Sequence, residues 1–184
     1  MYKIDNISIQ DYFTLEDTSS YDVFIDTLKP KNDFNGKRCH LNNLTFDEVE
    51  VLKSIFNKPT PEAIKDLFVE LFDLGSYEVS ATAEYLNTSV FDLFRAKNYL
   101  QQYILNVVKR EGQVLAGIPD EKLEMINAGE RLKAVSHLLT KMRLAEQFGK
   151  APNEIGDWKY NTVFTLLTAN KINQDIQREY QQIK

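Results

Sequence analysis

The chain is poor in the residues that build metal-bound, cross-linked or nucleophilic sites. Its 184 residues include one cysteine, Cys39, and two histidines, His40 and His137. A single cysteine excludes an intramolecular disulfide, and with it a secreted disulfide scaffold. Cys39 adjoins His40, but chain neighbours project differently, and no second cysteine or closely spaced histidine completes a zinc set. The pair reads as a thiol beside a turn histidine. His137 precedes Leu138 in a helical pattern and reads as an edge residue rather than a base.

Glycine and proline are also scarce, at seven and five, which fits long helices with short connections. Residues 112–117, Gly-Gln-Val-Leu-Ala-Gly, have neither the lysine nor the preceding buried strand of a phosphate-cradling loop. Purely apolar runs such as Ile104-Leu105 and Val107-Val108 fall far short of the roughly 20 residues that span a bilayer. The opening residues lack the basic region and apolar run of a signal peptide, so a cytoplasmic setting is expected. With 27 acidic and 22 basic side chains the formal charge is −5, a balance that disfavours nonspecific phosphate binding. Lys141 and Arg143, with Arg131 and Lys133, are interleaved with Glu130 and Glu146 and read as a solvated helix face. Carboxylate pairs such as Glu48 with Glu50 and Glu121 with Glu124 read as surface acids. No catalytic residue, cofactor or metal ligand is assigned, and the chain is not expected to be an enzyme.

What is present is helical patterning. Hydrophobic residues make up 43% and charged residues 27%, ordinary for a globular chain, and this length buries roughly 70% of its unfolded surface without metal or disulfide. Ser8-Ile9-Gln10-Asp11 caps a short helix ending near Leu15. Ser19-Ser20 precede Tyr21, Phe24, Ile25 and Leu28 at helical spacing, and Pro30 ends that element. Residues 29–40 read as a loop. Thr45-Phe46-Asp47-Glu48 fits a capping box ahead of Val49, Leu52, Ile55 and Phe56. Thr60-Pro61-Glu62 starts a second helix with Ile64, Leu67, Phe68, Leu71 and Phe72, closed at Leu74-Gly75-Ser76, so the two make an αα-hairpin.

Thr88 or Ser89 caps a long helix carrying Val90, Leu93, Phe94, Leu100, Ile104, Val107 and Val108, with Lys97 out of place in the middle and an interruption from Gly112. Pro119-Asp120-Glu121 begins another, with Leu123 and Ile126, a bend at Gly129, then Leu132, Val135, Leu138, Leu139, Met142, Ala145 and Phe148, and Gly149 as C-terminal cap. Pro152-Asn153-Glu154 opens a brief turn reaching Trp158, and a final helix runs from about Asn161, its second half rich in Gln, Asn and Lys. Strand candidates are confined to residues 2–9 and 38–41, leaving room for a short N-terminal β ribbon.

The expected fold is therefore mainly α, a multi-helix bundle with an αα-hairpin and a long C-terminal helix. Along the chain this gives an N-terminal arm at 1–42, a helical core at 43–158, and a C-terminal helix at 159–184 placed to pack on a partner.

Residues 77–100 also fit a helix-turn-helix outline, with Asn87-Thr88-Ser89 as the turn. The second helix would offer Phe91, Asp92, Phe94 and Arg95 where phosphate- and base-reaching side chains are needed. Two core helices with a capped turn is the plainer reading.

Two stretches resemble small structural and assembly proteins of tailed bacteriophages. One is Asn43-Leu44-Thr45-Phe46-Asp47-Glu48-Val49 with the hairpin through Phe72. The other is Ala145-Glu146-Gln147-Phe148-Gly149-Lys150-Ala151-Pro152-Asn153-Glu154-Ile155, followed by Trp158-Lys159-Tyr160 and the polar terminal helix. Together they cover under half of the chain, and the Asn, Lys, Ile and Tyr usage is similar to that of phages of AT-rich hosts, including the crAss-like group. The resemblance implies a helical, ring-forming or hetero-assembling subunit of the virion, at the portal, head-tail connector or tail. It would be assembled in the host cytoplasm beside other phage structural proteins, without membrane or nucleic acid as partner. It carries over no site residue. On that reading Tyr12, Phe13, Trp158, Tyr160 and Tyr180 are the expected contact aromatics, although Trp158 also suits a cap packed on the core. The alternatives are a helix-turn-helix regulator and a host-directed binding protein.

Overall fold

Helix starts in this chain are written locally, in side chains that satisfy the free N–H groups of a first turn. The computed structural model describes residues 7–74, 78–117, 124–133 and 135–183. Among them are ten α-helices: α1 (Ile9–Thr14), α2 (Ser19–Ile25), α3 (Phe46–Asn57), α4 (Pro61–Leu71), α5 (Glu78–Asn87), α6 (Val90–Val114), α7 (Ala128–Lys133), α8 (Ser136–Phe148), α9 (Pro152–Gly156) and α10 (Tyr160–Gln182). Ser8 Oγ accepts from Asp11 N–H at 3.0 Å to start α1. Thr45 and Glu48 form the capping box of α3, with Glu48 N–H donating to Thr45 Oγ1 (3.2 Å) and Thr45 N–H to Glu48 Oε2 (2.6 Å). Thr60 caps α4, with Pro61 in its first turn. Gly149 closes α8 at φ +63°, a left-handed conformation that glycine adopts at no steric cost.

The mainly α fold class is as expected; other details differ. No strand forms among the described residues. Around the two strand candidates the structure has only isolated bridges, Ser8 with Ser89 and Phe34 with Lys37. Residues 2–6, Gly75-Ser76, Tyr77, the expected helix start at Pro119-Asp120-Glu121 and Leu123 lie outside the described residues. Gly112 does not interrupt α6, which continues to Val114; one glycine costs a long helix only about 1 kcal/mol. Gly129 lies inside α7, and the break before it falls at Asn127, at φ +51°.

Packing groups the chain into two units, each discontinuous in sequence. One comprises Met1–Leu41 and Ser54–Asn106, the other Asn42–Lys53 and Val107–Lys184. The divisions at 53/54 and 106/107 fall inside α3 and α6.

The first unit is built on aromatics. Phe34, Phe68, Phe72 and Tyr85 are buried together, with Phe68 edge-on to Phe34 at 4.9 Å between centroids and 5.3 Å from Phe72. Phe34 gets there by a two-residue turn. Its N–H donates to Lys37 C=O and its C=O accepts from Lys37 N–H, both at 2.9 Å, across Asn35 (φ +50°) and Gly36 (φ +75°). Asn-Gly suits such a turn because both residues tolerate positive φ. A second cluster joins Tyr12, Ile25 and Val90, flanked by Tyr21, Leu28, Phe91 and Phe94. It is tied down where Ile9 N–H donates to Thr88 C=O (2.8 Å) and Val90 N–H to Ile7 C=O (3.0 Å).

In the second unit Leu44, Phe46, Val49, Leu52, Leu144, Ile155, Tyr160, Val163 and Phe164 are buried. The strand-like residues before α3 pair with those before α10: Phe46 N–H donates to Trp158 C=O (2.8 Å) and Tyr160 N–H to Leu44 C=O (2.9 Å). Helix α8 packs on α9.

Candidate interaction surfaces

The chemistry-bearing side chains singled out by the sequence lie apart from one another or in closed local contacts. Cys39 is buried, and its Sγ lies 3.1 Å from Asn32 Oδ1 while the Asn32 amide brackets the Cys39 backbone through N–H and C=O, both at 3.0 Å. Burial pushes the thiol up to about 11, so it stays protonated and poorly nucleophilic at neutral pH. His40, next to it, is exposed.

His137 lines a recess of about 190 Å³ whose polar side is Glu50, Lys53, Glu111, Ser136 and Thr140 and whose apolar side is Phe46, Leu115 and Leu167. Its polar floor is a closed network. Lys53 Nζ donates to Glu50 Oε1 (2.6 Å) and to both oxygens of Glu111 (2.7 Å), and Tyr160 Oη donates to Glu111 Oε1 (2.9 Å). Among the described residues no group of three His, Cys, Asp or Glu side chains is placed to hold a metal ion. None of the described helices is long and apolar enough to cross a membrane.

Lys141 was expected on a solvated basic face with Arg143. It turns inward instead: its side chain is 12% exposed, and Nζ donates to both oxygens of Asp47 at 2.9 Å, 94 residues away in sequence. Asp47 itself is 46% exposed, so solvent screens the pair and its worth is modest, about 1 kcal/mol. Asp47 is also wedged against α9, where a Cβ added at Gly156 would meet Asp47 Oδ2 at 2.2 Å and Cγ at 2.6 Å. Gly156→Ala is expected to cost about 1 kcal/mol, because the added methyl pushes the Asp47 carboxylate off Lys141, and less in an Asp47→Ala background, because the obstructing carboxylate is then gone. Thermal denaturation of the four proteins of this double-mutant cycle checks it; equal costs in both backgrounds would contradict the contact.

The five expected contact aromatics divide. Tyr12 is buried and its Oη donates to Asp22 Oδ1 at 2.6 Å; burial, then this bond, pushes its pKa up. Tyr160 is buried beside Phe164, and the Arg110 guanidinium lies 3.7 Å over the Phe164 ring. Both tyrosines are therefore spent inside their own units. Trp158 is half-buried and meets the Phe148 ring edge-on at 5.5 Å, the cap-like placement. Phe13 and Tyr180 remain on the surface, at 61% and 65% exposure.

Exposed apolar residues gather in three places. In the second unit Leu132, Val135, Leu138, Leu139 and Met142, on and between α7 and α8, are each 39–52% exposed. On α10, Ile172, Ile176, Tyr180 and Ile183 are all more than half exposed at i, i+4, i+8 and i+11, one face of a helix. In the first unit a cleft of about 600 Å³ opens among α1, α4, α5 and α6, lined by Ile9, Phe13, Pro59, Pro61, Leu93 and Phe94, with Glu62, Lys65 and Lys97 as its charged side chains. Lys97, out of phase in the sequence pattern of α6, and Phe13, an expected contact aromatic, were the sequence signals of this cleft. Its Nζ sits 5.4 Å over the Phe94 ring.

In the helix-turn-helix outline, α6 turns Val90, Leu93, Ala96 and Leu100 inward, and Arg95 lies 3.5 Å from Asp92. No protein family, curated protein or solved structure matches this chain.

Proposed function

We propose that this chain is a non-enzymatic assembly subunit that works by seating helix faces on neighbouring proteins. The observation that carries the reading is the set of exposed apolar residues on α7–α8 and along one face of α10, together with the open apolar cleft beside Phe13. Large exposed apolar patches on a folded surface mark interaction sites. The network at Lys53, Glu50, Glu111 and Tyr160 fits the same reading, since its polar groups satisfy one another. The phage resemblance makes the particular assembly a tailed-phage particle or its assembly intermediate, at the head-tail connector or tail.

The test is composition. Particles and assembly intermediates from an infected culture are purified and examined by mass spectrometry, with the isolated chain examined by native mass spectrometry. Stoichiometric presence in either supports the reading. A chain absent from both, and associating with no structural protein, overturns it.

A further inference from the structure

We propose that the projecting half of α10 from one copy of this chain seats in the α1–α4–α6 cleft of a second copy, a head-to-tail contact. The inference rests on the assembly reading above and names one of its partners.

The donor is an unburied helix end. From Gln177 to Ile183 every residue is exposed, whichever way it faces. Leading into that end and along it, Ile172, Ile176, Tyr180 and Ile183 form one apolar stripe, 55%, 58%, 65% and 84% exposed. Anchors one helical turn apart are how an amphipathic helix enters a groove, and Ile172 to Tyr180 spans about 12 Å at 1.5 Å per residue. Asp175 and Glu179, each one residue before an anchor, give the stripe an acidic edge. Asp175 is paired with Lys171; among the described residues Glu179 has no cation within ion-pair distance.

The acceptor matches in size and sign. The cleft, about 600 Å³, lies within the range that encloses bulky apolar groups. Its wall includes the exposed ring of Phe13, held edge-on against Tyr12 at 5.2 Å between centroids. Of its charged side chains two are cationic, Lys65, which is paired with Asp66 at 3.4 Å, and Lys97, against the single acid Glu62. Lys97 has no carboxylate within ion-pair distance among the described residues. A chain of net charge −5 thus presents an apolar cleft whose Lys97 is not neutralised by a carboxylate among the described residues, and an acid-edged apolar helix. Opposed charges set register and orientation across such a contact. Because donor and acceptor are different surfaces, each copy can engage two neighbours, and repetition gives a closed ring or an open filament.

The experiment uses the full chain in sedimentation velocity and native mass spectrometry across a concentration series. Two exposed positions are changed separately, Phe13→Asp in the cleft and Tyr180→Asp on the helix, with circular dichroism to verify that each variant folds. The wild type is expected to self-associate. Each variant alone should lose association by about thirtyfold or more, the scale of a buried aromatic anchor. An equimolar mixture of the two should form a dimer that grows no further, because it holds one intact cleft and one intact helix. Lys97→Glu should weaken association and Glu179→Lys in the same chain should restore part of it.

A monomeric wild type overturns the inference but leaves the assembly reading to its own particle test. Self-association that survives Phe13→Asp but not Tyr180→Asp means the helices pair with each other, and also overturns it. So does a mixture of the two variants that forms no dimer.

Discussion

Phe68→Ala is expected to remove about 3–5 kcal/mol of stability, the range for deleting a fully buried aromatic side chain. Phe68 has no exposed surface and sits among Phe34, Phe72 and Tyr85, at 4.9, 5.3 and 6.3 Å between ring centroids. These rings come from three separate places, the Asn35-Gly36 turn, α4 and its C-terminal end, and α5, so they cannot collapse together into the space left behind. A small domain has only about 5–15 kcal/mol in all, and a loss of this size brings its unfolding near ambient conditions. Urea denaturation followed by far-ultraviolet circular dichroism measures it, and Trp158, in the other unit, gives a separate fluorescence signal. Phe13→Ala, at an exposed ring, should change stability by no more than about 0.5 kcal/mol. A Phe68→Ala midpoint equal to that of Phe13→Ala would refute the packing account.

Alkaline pH is expected to destabilise the first unit by about 3–4 kcal/mol near pH 11. Burial pushes Cys39 from 9.0 to about 11 and Tyr85 from 10.0 to about 12. Both groups hold their protons more tightly folded than unfolded. The stability this represents is fully present below pH 9, where neither group ionises in either state. Above pH 9 the unfolded chain releases the Cys39 proton, and above pH 10 the Tyr85 proton, while the folded unit retains them. Stability therefore falls as pH rises through this window and levels off beyond the folded values. Tyr85→Phe should remove the tyrosine share of the loss, and Cys39→Ala with Tyr85→Phe most of it. Urea midpoints at pH 8 and pH 11 for the wild type and the double variant make the comparison. Equal alkaline losses in the two would show that other groups, such as lysines in ion pairs, dominate.

What could be read locally was read. The Ser8, Thr45 and Thr60 caps, the capping-box carboxylate of Glu48 and the Gly149 stop are each a few residues of sequence whose physics is complete within one helical turn. The Asn35-Gly36 turn was legible by the same standard, since two positive-φ residues in a row are what a tight reversal demands, yet residues 29–40 read only as a loop. Tyr12 and Tyr160 show the opposite limit. An aromatic near a helix end serves a partner or its own core equally well as far as sequence goes. Here Asp22 and Glu111, from other elements, supply the hydroxyl acceptors that make burial affordable.

The sequence alone determined that the chain is helical, where most helices begin, and that its one cysteine closes no internal disulfide, because composition and capping act over a few residues. Only the tertiary structure decided which segments share a core. It joined residues 42–53 to 107–184, paired Lys53 with Glu111 across 58 positions and Lys141 with Asp47 across 94, and opened the cleft beside Phe13. Such pairs have no local signature: each depends on helix faces meeting, and which faces meet is settled by the packing of the whole set of side chains rather than by any one segment.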